Sequence, residues 1–153
     1  MDKIPITLSA DQMNALDTLK DFMLSKNISI TLVGYAGTGK TTIIQDFVHH
    51  LESVYYNFVL CAPTHRAKLV LSQATNREAI TLHNLLSLAP NIEIYNLDYK
   101  DLEFFSRGSS QIPVNGVVII DEASMVNDNI YKLLHKYSNE NNAKIIFVGE
   151  FIA

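Results

Sequence analysis

Cysteine is nearly missing from this chain of 153 residues: Cys61 is the only one. That excludes an intrachain disulfide and any metal site built from several cysteines. Cys61 lies in the apolar run Tyr56 to Ala62, where it reads as a small core residue and not as a nucleophile. Long apolar runs are missing too, and none reaches the roughly 20 residues that cross a bilayer. The opening Met1-Asp-Lys-Ile-Pro5 is polar and lacks the apolar stretch of a signal peptide. These absences lead us to expect a soluble, intracellular (cytoplasmic) protein with no membrane partner. There is no excess of positive charge either. Twelve Lys and Arg stand against sixteen Asp and Glu, a formal net charge of −4. A global basic footprint for nucleic acid is therefore absent, although a local basic groove can sit on an acidic protein. No repeat, low-complexity tract or interdomain linker is visible. What remains is 48% apolar and only 18% charged, which excludes disorder and suits a buried α/β sheet. The length suits one domain with a proper core.

The most informative stretch is Gly34-Tyr-Ala-Gly-Thr-Gly-Lys-Thr41, with Thr42 behind it. It matches G-x-x-x-x-G-K-[S/T], the phosphate-binding P-loop. Its context also fits, because the apolar run Ile28 to Val33 precedes it and the amphipathic run Thr41 to Leu51 follows. Glycines let such a loop adopt turns that a Cβ would penalise, so successive N–H groups can aim at one anion. The following helix adds its N-terminal N–H groups and the positive end of its dipole. Lys40 would bring charge to the β- and γ-phosphates, and the Thr41 hydroxyl would ligate Mg²⁺. Gly37, Thr38, Gly39, Lys40, Thr41 and Thr42 are the expected nucleotide contacts, with ATP and Mg²⁺ as cofactors.

Periodicity orders the rest. Ser9 is a plausible N-cap, with Gln12 three residues on as in a capping box. Met13, Leu16, Leu19, Met23 and Leu24 recur at helical spacing to about Lys26. Ile28 to Val33 reads as a strand, and Ile43, Ile44, Phe47, Val48 and Leu51 line one face of the helix after the loop. Tyr56 to Ala62 is a second buried strand, stopped by Pro63. Thr64 caps a helix from about His65 to Gln73, and Thr81 to Leu86 makes a short helical turn. Residues 90–115 lose both patterns. Alternation at Ile92, Ile94 and Leu97 suggests a small β-hairpin excursion outside the sheet. Val117 to Ile120 is a third strand, Asn127 to Tyr137 a helix and Ala143 to Val148 a fourth strand. Alternating strands and helices predict an α/β fold, a P-loop NTPase with a parallel sheet and helices on both faces. The P-loop, Pro63-Thr64, Asp121-Glu122 and Gly149-Glu150 all follow strands, so the ligand edge should carry them together.

Asp121-Glu122 is the natural second half of the site. A buried strand delivers Asp121 rigidly to its tip, where it can hold Mg²⁺ with the Thr41 hydroxyl. Glu122 is placed to orient or deprotonate an attacking water. The expected catalytic residues are Lys40, Asp121 and Glu122, and the expected metal ligands are Thr41 and Asp121.

Taken together, these motifs resemble the first motor domain of superfamily 1 helicases, within them the 1B, Dda/RecD-like group that moves 5′ to 3′ on single-stranded DNA. The resemblance rests on Leu8-Ser-Ala-Asp-Gln12, Gly34 to Thr42, Ala62-Pro-Thr-His-Arg-Ala67, Thr81-Leu-His83 and Ile120-Asp-Glu-Ala-Ser-Met125. It runs from residue 8 to residue 150. It implies a RecA-like ATP-binding domain over residues 1–153 and ATP hydrolysis coupled to movement on DNA. It implies that Gln12 hydrogen-bonds the adenine, besides any capping role. It implies that Pro63, Thr64, His65 and His83 touch DNA, with Arg66 and Lys68 as local positive charge. The excursion at 90–115 lies where such helicases carry a strand-separating pin, and Phe104 and Phe105 are candidates for its tip. A loop folding both rings onto the core is the plainer alternative.

Two departures temper the implication. The family pattern after the fourth strand is Gly-Asp-x-x-Gln, whereas this chain reads Gly149-Glu-Phe-Ile-Ala153. A helicase also needs a second RecA-like motor domain, a partner to be expected alongside replication or repair proteins and absent from these 153 residues. By itself the chain is expected to be incomplete and weakly active. The alternatives are a P-loop nucleotide kinase and a non-catalytic, nucleotide-responsive binding module.

Overall fold

The computed structural model describes residues 9–34 and 39–150. Among the described residues, five strands form one sheet: β1 (Ser29–Gly34), β2 (Phe58–Ala62), β3 (Ala79–Thr81), β4 (Val117–Ile120) and β5 (Lys144–Glu150). Their order is β1-β5-β4-β2-β3, and every pairing is parallel. Six α-helices among the described residues connect or flank them: α1 (Ala10–Leu24), α2 (Lys40–Ser53), α3 (His65–Thr75), α4 (Leu82–Leu85), α5 (Tyr99–Ser106) and α6 (Asp128–Glu140). The parallel α/β architecture expected from the sequence is the one observed.

Side chains alternate across the sheet, as the two-residue period of a strand requires. On β4, Val117 and Ile119 face one core, and Val118 and Ile120 face the other. The first core packs Leu19 and Phe22 of α1, Ile43, Ile44, Phe47, Val48 and Leu51 of α2, and Leu71 of α3. The second packs α4, α5 and α6 through residues such as Leu85, Leu102, Leu133 and Tyr137. β4 is buried on both sides, which is why it reads as an unbroken apolar run. The crossovers sort cleanly by direction. Those running from β1 towards β3 use α2 and α3 on the first face, and those returning from β3 towards β5 use α4, α5 and α6 on the second.

Three expectations need correction. Residues 90–115 hold no hairpin: Ile94–Asn96 form a 3-10 turn, and α5 follows. The apparent alternation arises because Ile94 turns into the core with Leu102, while Asp98 caps a helix. Ala79–Thr81 is a fifth strand, too short to leave a periodic signal. On α1, Met13 and Leu24 are exposed, and Phe22 joins Leu19 in the core instead.

Candidate functional site

The carboxyl ends of β4 and β5 and the start of α2 open onto one cleft of about 510 Å³. It is lined by Gly39, Lys40, Thr41, Val70, Asp121, Glu122, Ser124, Gly149 and Glu150. The expected catalytic and metal residues thus come together from two elements, Lys40 and Thr41 from the start of α2 and Asp121 and Glu122 from the end of β4. Gly37 and Thr38 lie outside the described residues.

Gly39 starts α2 in the left-handed conformation, with φ +82°, and brings no side-chain cap. A Cβ there would lie 1.9 Å from the Gln12 side-chain nitrogen. A glycine is therefore favoured for its backbone angle, and any Cβ there would push the flexible end of Gln12 aside. Lys40 reaches back, and its Nζ donates to the Gly34 carbonyl at 2.9 Å. Thr41 is exposed to the cleft, and Thr42 is half-buried behind it. Gln12 closes the capping box of α1: its Oε1 accepts from Ser9 N–H at 2.9 Å, and Ser9 Oγ accepts from Gln12 N–H at 3.2 Å. The same residue therefore caps a helix and sits against the phosphate loop.

Asp121 is held at the tip of β4. Its N–H donates to the Cys61 carbonyl, and its Oδ1 accepts from Glu122 N–H, both at 2.9 Å. Burial pushes its carboxyl above the ordinary aspartate range. The Glu122 N–H and the Lys40 charge oppose that, while Glu150 adds to it. A half-buried carboxylate raised by desolvation and by a like charge is one that a cation would hold in its charged form. Glu122 follows with φ +54°, an uncommon conformation for a side chain of this size. It turns the chain sharply off β4 into the 3-10 turn Ala123–Met125 and leaves Glu122 exposed at the cleft. Strain of this kind clusters at functional sites.

The expected DNA residues are placed less uniformly. Pro63 is buried, so it stops β2 and shapes the turn but presents no surface for DNA. Thr64 and His65 are exposed, with Arg66 beside them. The Thr64 hydroxyl already accepts from Ala67 N–H at 3.1 Å, so one donor of the α3 N-terminus is used internally. His83 is half-buried, and its Nε2 bonds the Ile92 carbonyl at 2.6 Å, tying α4 to the segment after it. Phe104 is 75% exposed and Phe105 41%, so neither ring folds onto the core. They meet edge to face at 5.5 Å beside a groove shared with Ile92 and Arg107. Sequence reasoning passed over Val70 and Ser124 as cleft residues. Ser124 stood in plain view in Asp-Glu-Ala-Ser-Met, whereas Val70 gave no signal beyond an apolar position on α3.

Among the described residues no helix is long and apolar enough to cross a membrane, and no group of three or more His, Cys, Asp or Glu could hold a metal ion. Any cation in the cleft would therefore depend on Asp121 together with a hydroxyl and other ligands.

Comparison with known proteins agrees with this geometry. The ATP-dependent DNA helicase dda of Enterobacteria phage T4 is 32% identical over 128 residues, covering 83% of this chain and 28% of that protein. The ATP-dependent RecD2 DNA helicase of Deinococcus radiodurans is 29% identical over 143 residues, covering 94% of this chain and 18% of that protein. A crystal structure of Pif1 helicase from Candida albicans shares the fold with a TM-score of 0.60 at 18% identity, covering 95% of this chain and 33% of that one. This chain thus spans about a third or less of the length of these proteins. A family model described as an AAA domain matches residues 19–151, and the chain belongs to that family.

Proposed function

We propose that this chain is the N-terminal, ATP-binding motor domain of an ATP-dependent DNA helicase that moves 5′ to 3′ on single-stranded DNA. The observation that carries the reading is the convergence of Lys40, Thr41, Asp121 and Glu122 on one cleft at the carboxyl edge of a parallel sheet. The residues fit MgATP. α2 begins at Gly39, which brings no side-chain cap to its first turn. A phosphate can take the first-turn N–H groups of a helix begun in this way. Lys40 is the charge for the β- and γ-phosphates, and Thr41 and Asp121 would hold Mg²⁺. Bound Mg²⁺ neutralises charge that builds on the phosphate oxygens. Glu122 faces the same cleft, where it would orient a water and take its proton. Gln12, beside Gly39, would contact the base, and Gly37, Thr38 and Thr42 complete the expected contacts.

DNA would cross the same edge of the sheet further along, over Thr64 and His65, with Arg66 and Lys68 supplying local charge. His83 would act through position: its bond to Ile92 fixes the turn that faces the DNA path. The exposed Phe104–Phe105 pair is the candidate wedge, presented by a helix and not by a hairpin. A second motor domain would supply the other wall of the cleft, so this chain alone should turn over slowly.

The test is phosphate release by the purified chain. Single-stranded DNA should raise it, nucleoside monophosphates should not, and Lys40→Ala should abolish it. Stimulation by a monophosphate acceptor would make the chain a kinase. DNA or partner binding that is unchanged in Lys40→Ala, with no turnover in either protein, would make it a binding module.

A further inference from the structure

The side-chain amide of Gln12 has two ends, and the structure turns them in different directions. Its Oε1 points to the start of α1, where it accepts from Ser9 N–H at 2.9 Å. Ser9 Oγ accepts from Gln12 N–H in return, so the capping box holds the residue from both sides. Its Nε2 points to the phosphate loop. A Cβ at Gly39 would lie 1.9 Å from Nε2, with Cδ at 3.2 Å and Cγ at 4.0 Å behind it. The amide nitrogen is thus the Gln12 atom nearest to the point where α2 begins.

A carboxamide accepts at its oxygen and donates at its nitrogen. Turning it over would set a nitrogen, which cannot accept, against Ser9 N–H. The capping box therefore fixes which end looks at the nucleotide, and it is the donor end. Nε2 carries two hydrogens, so it can serve a neighbour and a ligand together. The chemistry of the bases decides what such a donor reads. On the edge that carries N7, adenine offers one acceptor, N7, and one donor, the N6 amino group. Guanine offers two acceptors there, N7 and O6. Cytosine offers only its N4 amino group. A donor at Gln12 finds a partner on either purine and none on cytosine. It gains nothing from the adenine amino group, which is itself a donor.

We propose that the cleft takes purine nucleoside triphosphates, GTP as well as ATP, because Gln12 presents its amide N–H and not its carbonyl to the base. The inference rests on the reading of the cleft as a triphosphate site and adds base specificity to it. Lys40 and Thr41 address the phosphates and Mg²⁺, which all nucleotides share, so they do not choose between bases. Gln12 is only half-buried, and water competes for its amide. The selection is therefore modest, the size of one neutral hydrogen bond or about fivefold in affinity.

Calorimetric titration of the purified chain with the Mg²⁺ complexes of ATP, GTP and CTP tests this. ATP and GTP should bind within about threefold of each other, and CTP about fivefold more weakly. Gln12→Met keeps the length of the side chain and removes both amide ends. In that variant ATP and GTP should fall to the affinity of CTP, which stays constant. Ser9→Pro removes the N–H that fixes the amide, at a backbone φ of −67° that proline accepts. The amide can then turn its oxygen to the base, and the preference for ATP over GTP should rise by about threefold or more. Circular dichroism checks that both variants stay folded. GTP binding about tenfold or more weaker than ATP in the parent chain would overturn the proposal and leave the cleft a nucleotide site. So would equal binding of all three nucleotides, a purine preference that survives Gln12→Met, or a ratio of ATP to GTP that Ser9→Pro leaves unchanged. No binding by any of the three would overturn the triphosphate reading itself, and this inference with it.

Discussion

Helices α2 and α3 both start at the carboxyl edge of the sheet, α2 after β1 and α3 after β2, yet their first turns are built in opposite ways. α3 satisfies itself: Thr64 accepts from Ala67 N–H. α2 begins at Gly39, which offers no side chain, and Lys40 folds back onto Gly34. The other α-helices follow the α3 pattern, capped by Ser9, Thr81, Asp98 and Asn127. A cap stabilises a helix by about 1 kcal/mol. Among the described α-helices, α2 alone omits it. The same comparison lowers the claim of α3 as a phosphate site. Its exposed Thr64 and His65 can still meet DNA, but not with an open helix N-terminus.

The comparison can be broken in four ways. The largest effect belongs to Lys40→Ala, which should cut phosphate release about 10²-fold or more while leaving helix content unchanged. Retained turnover would mean that the backbone donors of α2 suffice. Next, Gly39→Ala should destabilise the fold by about 1–2 kcal/mol from its left-handed backbone alone. Nucleotide affinity should fall with it, because the new Cβ displaces Gln12. A thermal melt and a nucleotide titration measure the two consequences separately. Thr64→Ala should cost about 1 kcal/mol of stability, with nucleotide affinity unchanged, and Thr64→Ser should restore the loss. A change in nucleotide affinity there would erase the distinction between the two helices. The smallest effect concerns Asp121. Its folded pKa is raised, chiefly by burial. Above the ordinary aspartate range the folded state therefore holds a proton that the unfolded state has lost. Stability should fall as pH rises through that window and level off beyond it. Asp121→Asn should remove this slope in melts recorded across the mildly acidic range.

Much of this arrangement was legible in the sequence. The apolar runs at Val117 to Ile120 and around Ile145 are buried on both faces, and such strands announce themselves. The P-loop and Asp121-Glu122 were legible because their chemistry demands fixed residue types at fixed spacing. Four features were not. β3 has three residues, too few for an alternation to show. The stretch from Ile92 to Leu97 mimicked a strand because single apolar residues anchored a turn. The left-handed backbone at Glu122 left no trace, since glycine, the usual signal for it, is absent there. The burial of Pro63 was equally hidden, because a proline that ends a strand reads alike whether covered or exposed.

The contact between Lys40 and the Gly34 carbonyl bears on how quickly the site can be filled. A lysine side chain loses up to about 2 kcal/mol of rotamer freedom when it is fixed. Here much of that loss accompanies folding, because Lys40 is already anchored on an oxygen at the mouth of the loop. An arriving phosphate offers oxygen in exchange for oxygen, a ligand swap with little reorganisation. Gly34 lies opposite Glu150 on the last rung of the β1–β5 ladder. The ammonium is thus docked at the end of a paired strand, on an oxygen ligand of the kind a phosphate would offer.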